Sequence, residues 1–485
     1  MPYSSARCQA HPKWPWTVAI AVLLATSVVL AWFAVQRIFT LPAINYDEGW
    51  NAYRDRMAAS GVPLYGTPPH FWITNYPFLS FHVVGLLGRA IGSMTVAGRV
   101  IAFTALIVIC LLLVLIVHKL TGIWRGGLYA ALCFFLWTLT FAPGRVAMND
   151  PDPLAASLAL FGVYAYLRGR AGSGWFVVSA VAFATAMFTK QDIVALPLGI
   201  GLHALITGPR RRLAIWLATG LLATTVLLLA TRWLDGPYLI AHLFRPRAYK
   251  PMQALDSAVR FLKHFATALV PCCLLPLRRN HLEPVGLLLL AFVIAVAFAG
   301  GDGVGRNIFN VPMIVMAAIA GIALCTFESR LAPNPASSIL MVLMLTLPIL
   351  PGIIDTPAQL AADRAVQHTL PARTRAAFQT IALLQRLHGP ALCQNILLCY
   401  QAGKPIGPDL FFVHDQVTTG ELAQADIVSE MIAHQFAAIQ LDTPIKPEVG
   451  RSRFFNSFMQ ALRNTYRPVM IGPVNAVFVP RRTNR

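Results

Sequence analysis

Asn45-Tyr46-Asp47-Glu48-Gly49-Trp50-Asn51-Ala52-Tyr53 sets two adjacent carboxylates and three aromatic rings directly after the first long apolar run. A plain connector leaving a bilayer has no reason to be both this acidic and this aromatic. Trp50, Tyr53 and Met57 recur at helical spacing, so a helix starts here and lies in the membrane interface. Its acids sit in the first turn, where the helix dipole favours them. Neighbouring acids point in different directions on any regular element. One is placed to act as a general base on a hydroxyl, the other to orient a partner. Dipole and chemical roles are compatible.

Working outward, 56% of the 485 residues are hydrophobic and only 12% are charged. A soluble domain carries about a quarter charged residues, so most of this chain lies in lipid. A span needs roughly twenty apolar residues. Suitable runs are Trp16–Gln36, Ala97–Val117, Gly126–Phe141, Leu154–Leu167, Trp175–Thr189 and Ile193–Ile206, followed by Leu213–Thr231, Phe261–Leu277, Val285–Ala299, Ile308–Phe327 and Ser337–Ile354. The fold class is thus a polytopic α-helical membrane protein with about eleven spans. Phe78–Ile91, interrupted by His82 and Arg89, reads as an interfacial or re-entrant helix. The first run is long, ends in Arg37 and lacks a clear small-x-small cleavage site, so it reads as an uncleaved span rather than a signal peptide.

Charge sorts the loops. With the N-terminus on the cytoplasmic side, parity alone puts His118 to Arg125, Arg168 to Arg170, Arg210 to Arg212, Arg278-Arg279 and Arg330 inside, as the positive-inside rule asks. The net charge of +19 is accounted for by these short clusters, not by a nucleic-acid surface. Only Glu283 and Glu328 among the loop acids fall inside; Asp47, Glu48, Asp150, Asp152, Asp192, Asp235, Asp256 and Asp302 fall outside. Several cations share that outer side, among them Arg145, Lys190, Arg245, Arg247, Lys250 and Arg306. Either they snorkel singly to lipid headgroups or several gather around a phosphate.

After Asp355 the pattern changes, dividing a membrane module (1–355, outer loop 40–96) from a C-terminal domain (356–485). Thr356–His388 reads as polar, amphipathic helix. Short apolar segments at Ala391–Cys399, Phe436–Leu441, Pro468–Ile471 and Ala476–Val479 alternate with helical stretches at Glu421–Ala433 and Arg453–Arg463. That alternation is a small α/β domain, placed by parity on the outer face. Cys393 and Cys399 would pair only across a bend; free thiols are the alternative.

Two further motifs carry acids to the same depth. In Arg145-Val146-Ala147-Met148-Asn149-Asp150-Pro151-Asp152-Pro153 the prolines break the helix at the membrane edge. Asp152 before Pro153 fits an N-cap, which leaves Asp150 as the stronger functional candidate. Thr189-Lys190-Gln191-Asp192 closes a span with a lysine that wants an anion. Gly300-Gly301-Asp302-Gly303-Val304-Gly305-Arg306-Asn307 lacks the Gly-Lys-Ser/Thr ending of a P-loop and reads as a tight connector or a ligand-touching loop.

Asp47-Glu48 after the first span, Asn75-Tyr76-Pro77-Phe78-Leu79 before the interfacial helix, Arg145…Asp150-Pro151 before the fourth span and Phe188-Thr189-Lys190 at the end of the fifth together resemble the GT-C membrane glycosyltransferases. The nearest resemblance is to the bacterial branch akin to protein O-mannosyltransferases and aminoarabinose transferases. It covers about the first 210 residues, extends weakly to Gly301–Asn310, and says little about the tail. Trp50 stands where some relatives have arginine, and Asn75 where some have lysine.

The resemblance implies sugar transfer from a polyprenyl-phosphate donor to a glycan, lipid or protein acceptor on the outer face of a bacterial inner membrane, with inversion. It implies Asp47 as the catalytic or acceptor-activating acid, Asp150 as the second-loop acid and Lys190 on the donor phosphate; beside them Glu48 reads as a third catalytic residue holding the constellation, and Arg145 or Arg306 as helpers on the phosphate. Tyr76, Asp152, Asp192 and Asn307 would support them. A divalent cation (Mg or Mn), which participates in some members of the superfamily, would sit on Asp47 and Asp150. A glycan polymerase or ligase shares the donor class. A transporter or flippase would show mid-span ionisable residues and internal repeats, and neither stands out here.

Overall fold

A computed structural model of the chain describes residues 12–68, 70–169, 174–273, 282–443 and 454–481. Arg170, Arg278, Arg279, the end of the expected span at Leu277 and the side chain of Glu283 lie outside the described residues.

In lipid a spanning segment must satisfy its own backbone, so the apolar runs become helices. They are α1 (Trp14–Ile38), the interfacial α2 (Asp47–Ala59) and α3 (Leu79–Ile91), α4 (Met94–Thr121), α5 (Trp124–Phe141), α6 (Asp152–Gly169), α7 (Gly174–Met187), α8 (Ala195–Thr207) and α9 (Arg210–Asp235). Then follow α10 (Leu239–Leu243), α11 (Pro251–His264), α12 (Ala266–Cys273), α13 (Leu282–Ala299), α14 (Asn310–Glu328) and α15 (Pro335–Arg386). Five helical stretches are long and apolar enough to cross a membrane, namely α1, α4, α9, α15 and α14 with the turn before it. α3, α7, α8 and most of α13 are shorter apolar helices.

Two elements differ from the sequence expectation. The span expected over Phe261–Leu277 is broken at Phe265 into α11 and α12. α11 buries Ala254, Ala258 and Phe261 on one face and exposes Met252, Leu255, Val259 and Leu262 on the other, an amphipathic pattern suited to an interface rather than to a span. The last span does not stop at Ile354. α15 continues for 52 residues as a single helix and absorbs the polar stretch expected as a separate one.

α5 runs through the core, packed against α1, α4, α14 and α15. The Tyr129 hydroxyl donates to the Leu345 carbonyl at 2.5 Å and the Trp137 indole N–H to that of Pro348 at 2.9 Å. Both bonds stitch α5 to the stretch of α15 that Pro348 and Pro351 interrupt. At the end of the bundle away from α2, Arg125 pairs with Glu328 at 2.6 Å, so one of the two acids assigned inside has a basic partner.

Beyond α15 come β1 (Ala391–Cys393), α16 (Ile396–Gln401), α17 (Leu410–Thr419), α18 (Gln424–Ile432), β2 (Ala438–Asp442), α19 (Asn456–Thr465), β3 (Tyr466–Ile471) and β4 (Asn475–Pro480). The sheet order is β1-β2-β4-β3, with β1 parallel to β2 and the remaining pairs antiparallel. The first apolar segment is strand only as far as Cys393, where the chain bends into α16. That bend brings Cys399 back to form a disulfide with Cys393, their Cα atoms 6.0 Å apart.

This domain sits directly on α2. The Tyr53 hydroxyl donates to the Lys404 carbonyl at 3.0 Å, Arg56 stacks over Tyr400 at 4.7 Å, and Tyr46 bonds Asp409. Gly49 lies against the backbone of Ile396 and Leu397 so closely that a methyl group would overlap the Leu397 amide. Gly49→Ala is expected to cost about 1–3 kcal/mol by overpacking. It should lower the melting temperature in detergent and make the C-terminal domain more susceptible to limited proteolysis, and an unchanged protease pattern would count against this docking.

Candidate active site

α2 delivers its two acids to different places because successive helical residues differ by roughly 100°. Glu48 points inward and is fully buried. Arg99, on the first turns of α4 and also fully buried, grips it with two bonds of 2.7 and 2.6 Å. The same carboxylate accepts the backbone N–H of Ile44 at 2.7 Å and of Asn149 at 3.0 Å. Arg99 spends its remaining donors on the carbonyls of Arg37, Ile38, Thr40 and Pro42. Every atom of the pair is thereby satisfied, which places Glu48 in a holding role and leaves it no free lone pair for a reaction.

Asp47 faces the other way, with its side chain 32% exposed. It pairs with Arg145, whose guanidinium also reaches Asp150 at 3.4 Å. Burial alone would lower the Arg145 pKa, but Asp47 and Asp150 raise it above its ordinary value. Asp150 accepts the Asp152 backbone N–H at 3.0 Å, closing a turn in front of Pro153. Ala147, buried two residues before Asn149, has φ of 54°, a left-handed conformation uncommon for a residue with a Cβ. Such strain persists where surrounding contacts over-determine the turn, as the bonds to Asn149 and Asp150 do here.

Asp152 carries the network on. It pairs with Lys190 at 3.1 Å and accepts side-chain amides from Asn307 and Asn310, both at 3.0 Å. Lys190 also meets Asp192 at 3.4 Å and lies over the Tyr76 ring at 5.5 Å. Burial would lower the lysine pKa, but Asp152, Asp192 and Asp150 together hold it well above its usual value, so the ammonium is charged. Burial also raises the Tyr76 hydroxyl pKa, opposed by Lys190, so Tyr76 stays a neutral phenol. Asn307 reaches Asp150 as well, at 3.5 Å.

Asp47, Asp150, Asp152, Asp192, Arg145, Lys190, Tyr76 and Asn307 thus form one connected site at one end of the bundle, as the loop parity required. Arg306 stands apart from the acids. It donates to the Phe141 carbonyl at 3.1 Å at the C-terminus of α5, while Gly305 beside it lies so close to the Asn307 carboxamide and the Arg145 guanidinium that a methyl group there would overlap them. Of the other cations expected on this side, Lys250 pairs with Asp302 at 2.8 Å and Arg245 with Glu421 at 3.0 Å. Those two pairs fasten the 245–250 segment to the glycine-rich loop and to the C-terminal domain.

The Arg145 guanidinium lies between the Asp47 and Asp150 carboxylates, the position a divalent cation on those two residues would take. No cluster of three or more His, Cys, Asp or Glu suited to a metal occurs among the described residues.

Three participants were missed in the sequence. Arg99 is a lone arginine inside the apolar run Ala97–Val117, and an ionisable residue in such a run is itself a signal. Asn149 bonds Asp55 at 2.7 Å, and its backbone carbonyl accepts Asn51 Nδ2 at 2.6 Å. Asn310 ends the weakly matching stretch Gly301–Asn310 and lies in the apolar run Ile308–Phe327, where nothing in the sequence assigns it a role. Trp50, where some relatives have arginine, packs edge-on to Tyr76 at 5.6 Å between ring centroids. The backbone carbonyl of Asn75 accepts Gln191 Nε2 at 2.8 Å.

The described residues form a polytopic helical bundle, with five stretches long and apolar enough to cross a membrane, and a small four-stranded C-terminal sheet. The chain shares its fold with ArnT from Cupriavidus metallidurans, at a TM-score of 0.65 and 15% identity with the apo structure, covering 95% of this chain and 98% of that one. The likeness to the same protein bound to undecaprenyl phosphate has a TM-score of 0.64 at 14% identity, covering 95% and 97%. No protein-family model and no curated protein matches the sequence.

Arg99→Met leaves the buried Glu48 carboxylate without its cationic partner, a loss of about 3–5 kcal/mol. The expected outcome is a large drop in thermal stability in detergent, with Arg99→Met combined with Glu48→Gln recovering part of it. Equal melting temperatures for Arg99→Met and the parent would sink the structural role given to the pair.

Proposed function

We propose that this protein is an integral membrane glycosyltransferase that moves a sugar from a polyprenyl-phosphate donor to a hydroxyl acceptor at the end of the bundle carrying α2. The observation that carries the reading is the continuous chain Asp47–Arg145–Asp150 and Asp152–Lys190, held by Asn307. It supplies an accessible carboxylate at one end and a buried ammonium at the other. The chain stands in a fold shared with a protein whose structure holds undecaprenyl phosphate.

Asp47 is the exposed member and takes the acceptor proton, with Arg145 fixing its orientation. The acceptor oxygen attacks the anomeric carbon from the side opposite the phosphate, the bond from that carbon to the phosphate oxygen breaks, and configuration inverts. Lys190 and Arg145 oppose the charge that grows on the departing carrier phosphate. Both cations are already paired with carboxylates, so donor binding displaces part of that pairing; Asp192, the more exposed partner of Lys190, is the one expected to yield. Arg306 sits at the rim, where it can meet the phosphate on entry. The Cys393–Cys399 bond, of a kind that persists in oxidising compartments, and the basic loops at the far end support an extracytoplasmic site with the N-terminus in the cytoplasm of a bacterial cell.

The test supplies purified protein with polyprenyl-phosphate sugars and follows sugar release and transfer. Asp47→Asn is expected to abolish turnover with the melting temperature unchanged, and Lys190→Ala to weaken donor binding. Near-parental turnover in Asp47→Asn would overturn the role of that residue. Product size separates transfer of one sugar from transfer of a glycan chain.

A further inference from the structure

Behind the site lies a small pocket bounded by α2, α3, α4 and the Asn149–Pro151 turn, lined among others by Asn51, Asp55, Ser80, Gly98, Asn149 and Asp150. Asp55 is 1% exposed and forms no salt bridge among the described residues. Its Oδ2 accepts Asn149 Nδ2 at 2.7 Å. Asn51, one helical turn earlier on the same face of α2, has its Nδ2 committed to the Asn149 carbonyl, while its buried Oδ1 has no donor. The Ser80 hydroxyl, also buried, has no partner. An ionised Asp55 would be a buried charge with no salt-bridge partner among the described residues, a costly state.

We propose that Asp55 works as a neutral carboxylic acid whose O–H serves Asn51 Oδ1, directly or through one water shared with Ser80 Oγ, while its other oxygen accepts Asn149 Nδ2 and so holds the Asn149–Asp150 turn. Asp55 is a positioning residue on this account: it acts through Asn149 and touches no reacting atom. A protonated carboxyl supplies an O–H that the unpartnered Asn51 Oδ1 can accept and keeps an oxygen free for Asn149. The turn has little room to move otherwise, since Gly98 of α4 lies so close to the Asn149 carboxamide that a methyl group there would overlap it.

The charged and titratable groups around Asp55 agree with a neutral state. Arg54 on its own helix is drawn away, sandwiched between Trp50 and Trp72 at 4.4 and 4.6 Å and bonded to the Ile73 carbonyl. Asp150, also on the pocket wall, is paired with Arg145. Tyr400 of α16 is itself held neutral by burial. Arg99 of α4 is consumed by Glu48, and α3 contributes only Ser80, Phe81 and Val84 to the cavity wall. Burial raises the Asp55 pKa well above the carboxylate range, opposed by Asn149 and Arg54. The folded state therefore binds this proton more tightly than the unfolded chain, and the stability it confers is lost as pH rises through the folded pKa.

The inference does not rest on the sugar-transfer reading, and its test needs no substrate. Full-length parent, Asp55→Asn and Asp55→Ala are melted in detergent across a pH series. Asp55→Asn keeps an acceptor for Asn149 and a donor for Asn51, so it should match or exceed the parent, with its advantage widening as pH rises. Asp55→Ala should melt several degrees lower. Infrared spectra of the parent at neutral pH should show a protonated-carboxyl band that Asp55→Asn lacks. If Asp55→Asn falls as far as Asp55→Ala, if its advantage fails to widen with pH, or if that band is absent from the parent, the neutral-acid role is overturned.

Discussion

Arg99 and Glu48 meet with neither side chain exposed, bonded twice to each other and six more times to backbone groups. Four of those bonds reach the chain leaving α1, one the approach to α2, and one the amide of Asn149. An ion pair away from water is tolerable only when nearly every donor and acceptor is used. The pair therefore fixes three separate stretches of chain at once: the exit from α1, the first turn of α2 and the turn ahead of α6. The rest of the site is built on that joint.

Above this neutral joint lies a charged rim. Asp47 follows α2 one residue ahead of Glu48, so the rotation that buries Glu48 turns Asp47 toward the cleft. Asp150 follows the amide that Glu48 holds, so its carboxylate arrives beside Arg145. From there the network reaches Lys190 through Asp152. Four acids, Asp47, Asp150, Asp152 and Asp192, surround two cations, Arg145 and Lys190. Such an imbalance keeps both cations charged and oriented.

The C-terminal domain belongs to the same construction. It covers α2 through Tyr53, Arg56 and Gly49 and reaches the glycine-rich loop, where Gly303 with φ of 76° accommodates the Phe411 ring. A side chain at either glycine would push the domain off. The two glycines thus let a soluble α/β unit lie closely over membrane-embedded chemistry.

Much of this was readable in the amino acids. Hydrophobic run length located the helices, and Trp50, Tyr53 and Met57 announced α2. The four C-terminal apolar segments became four strands, though the first gave way to α16 after Cys393. Parity brought Asp47, Asp150 and Lys190 to one end, because alternate crossings of a bilayer leave no other choice. What the linear pattern could not contain was pairing between residues far apart along it. Hydropathy treats Arg99 as a blemish in an apolar run, Asp55 as an ordinary polar position of an interfacial helix, and Phe261–Leu277 as a span. Which carboxylate Arg145 grips, which acid is sealed and which is exposed depend on the rotation and depth of each helix. Packing between helices sets those quantities, at contacts such as Gly98 on Asn149 and Gly49 on Leu397, so only the tertiary structure decided them.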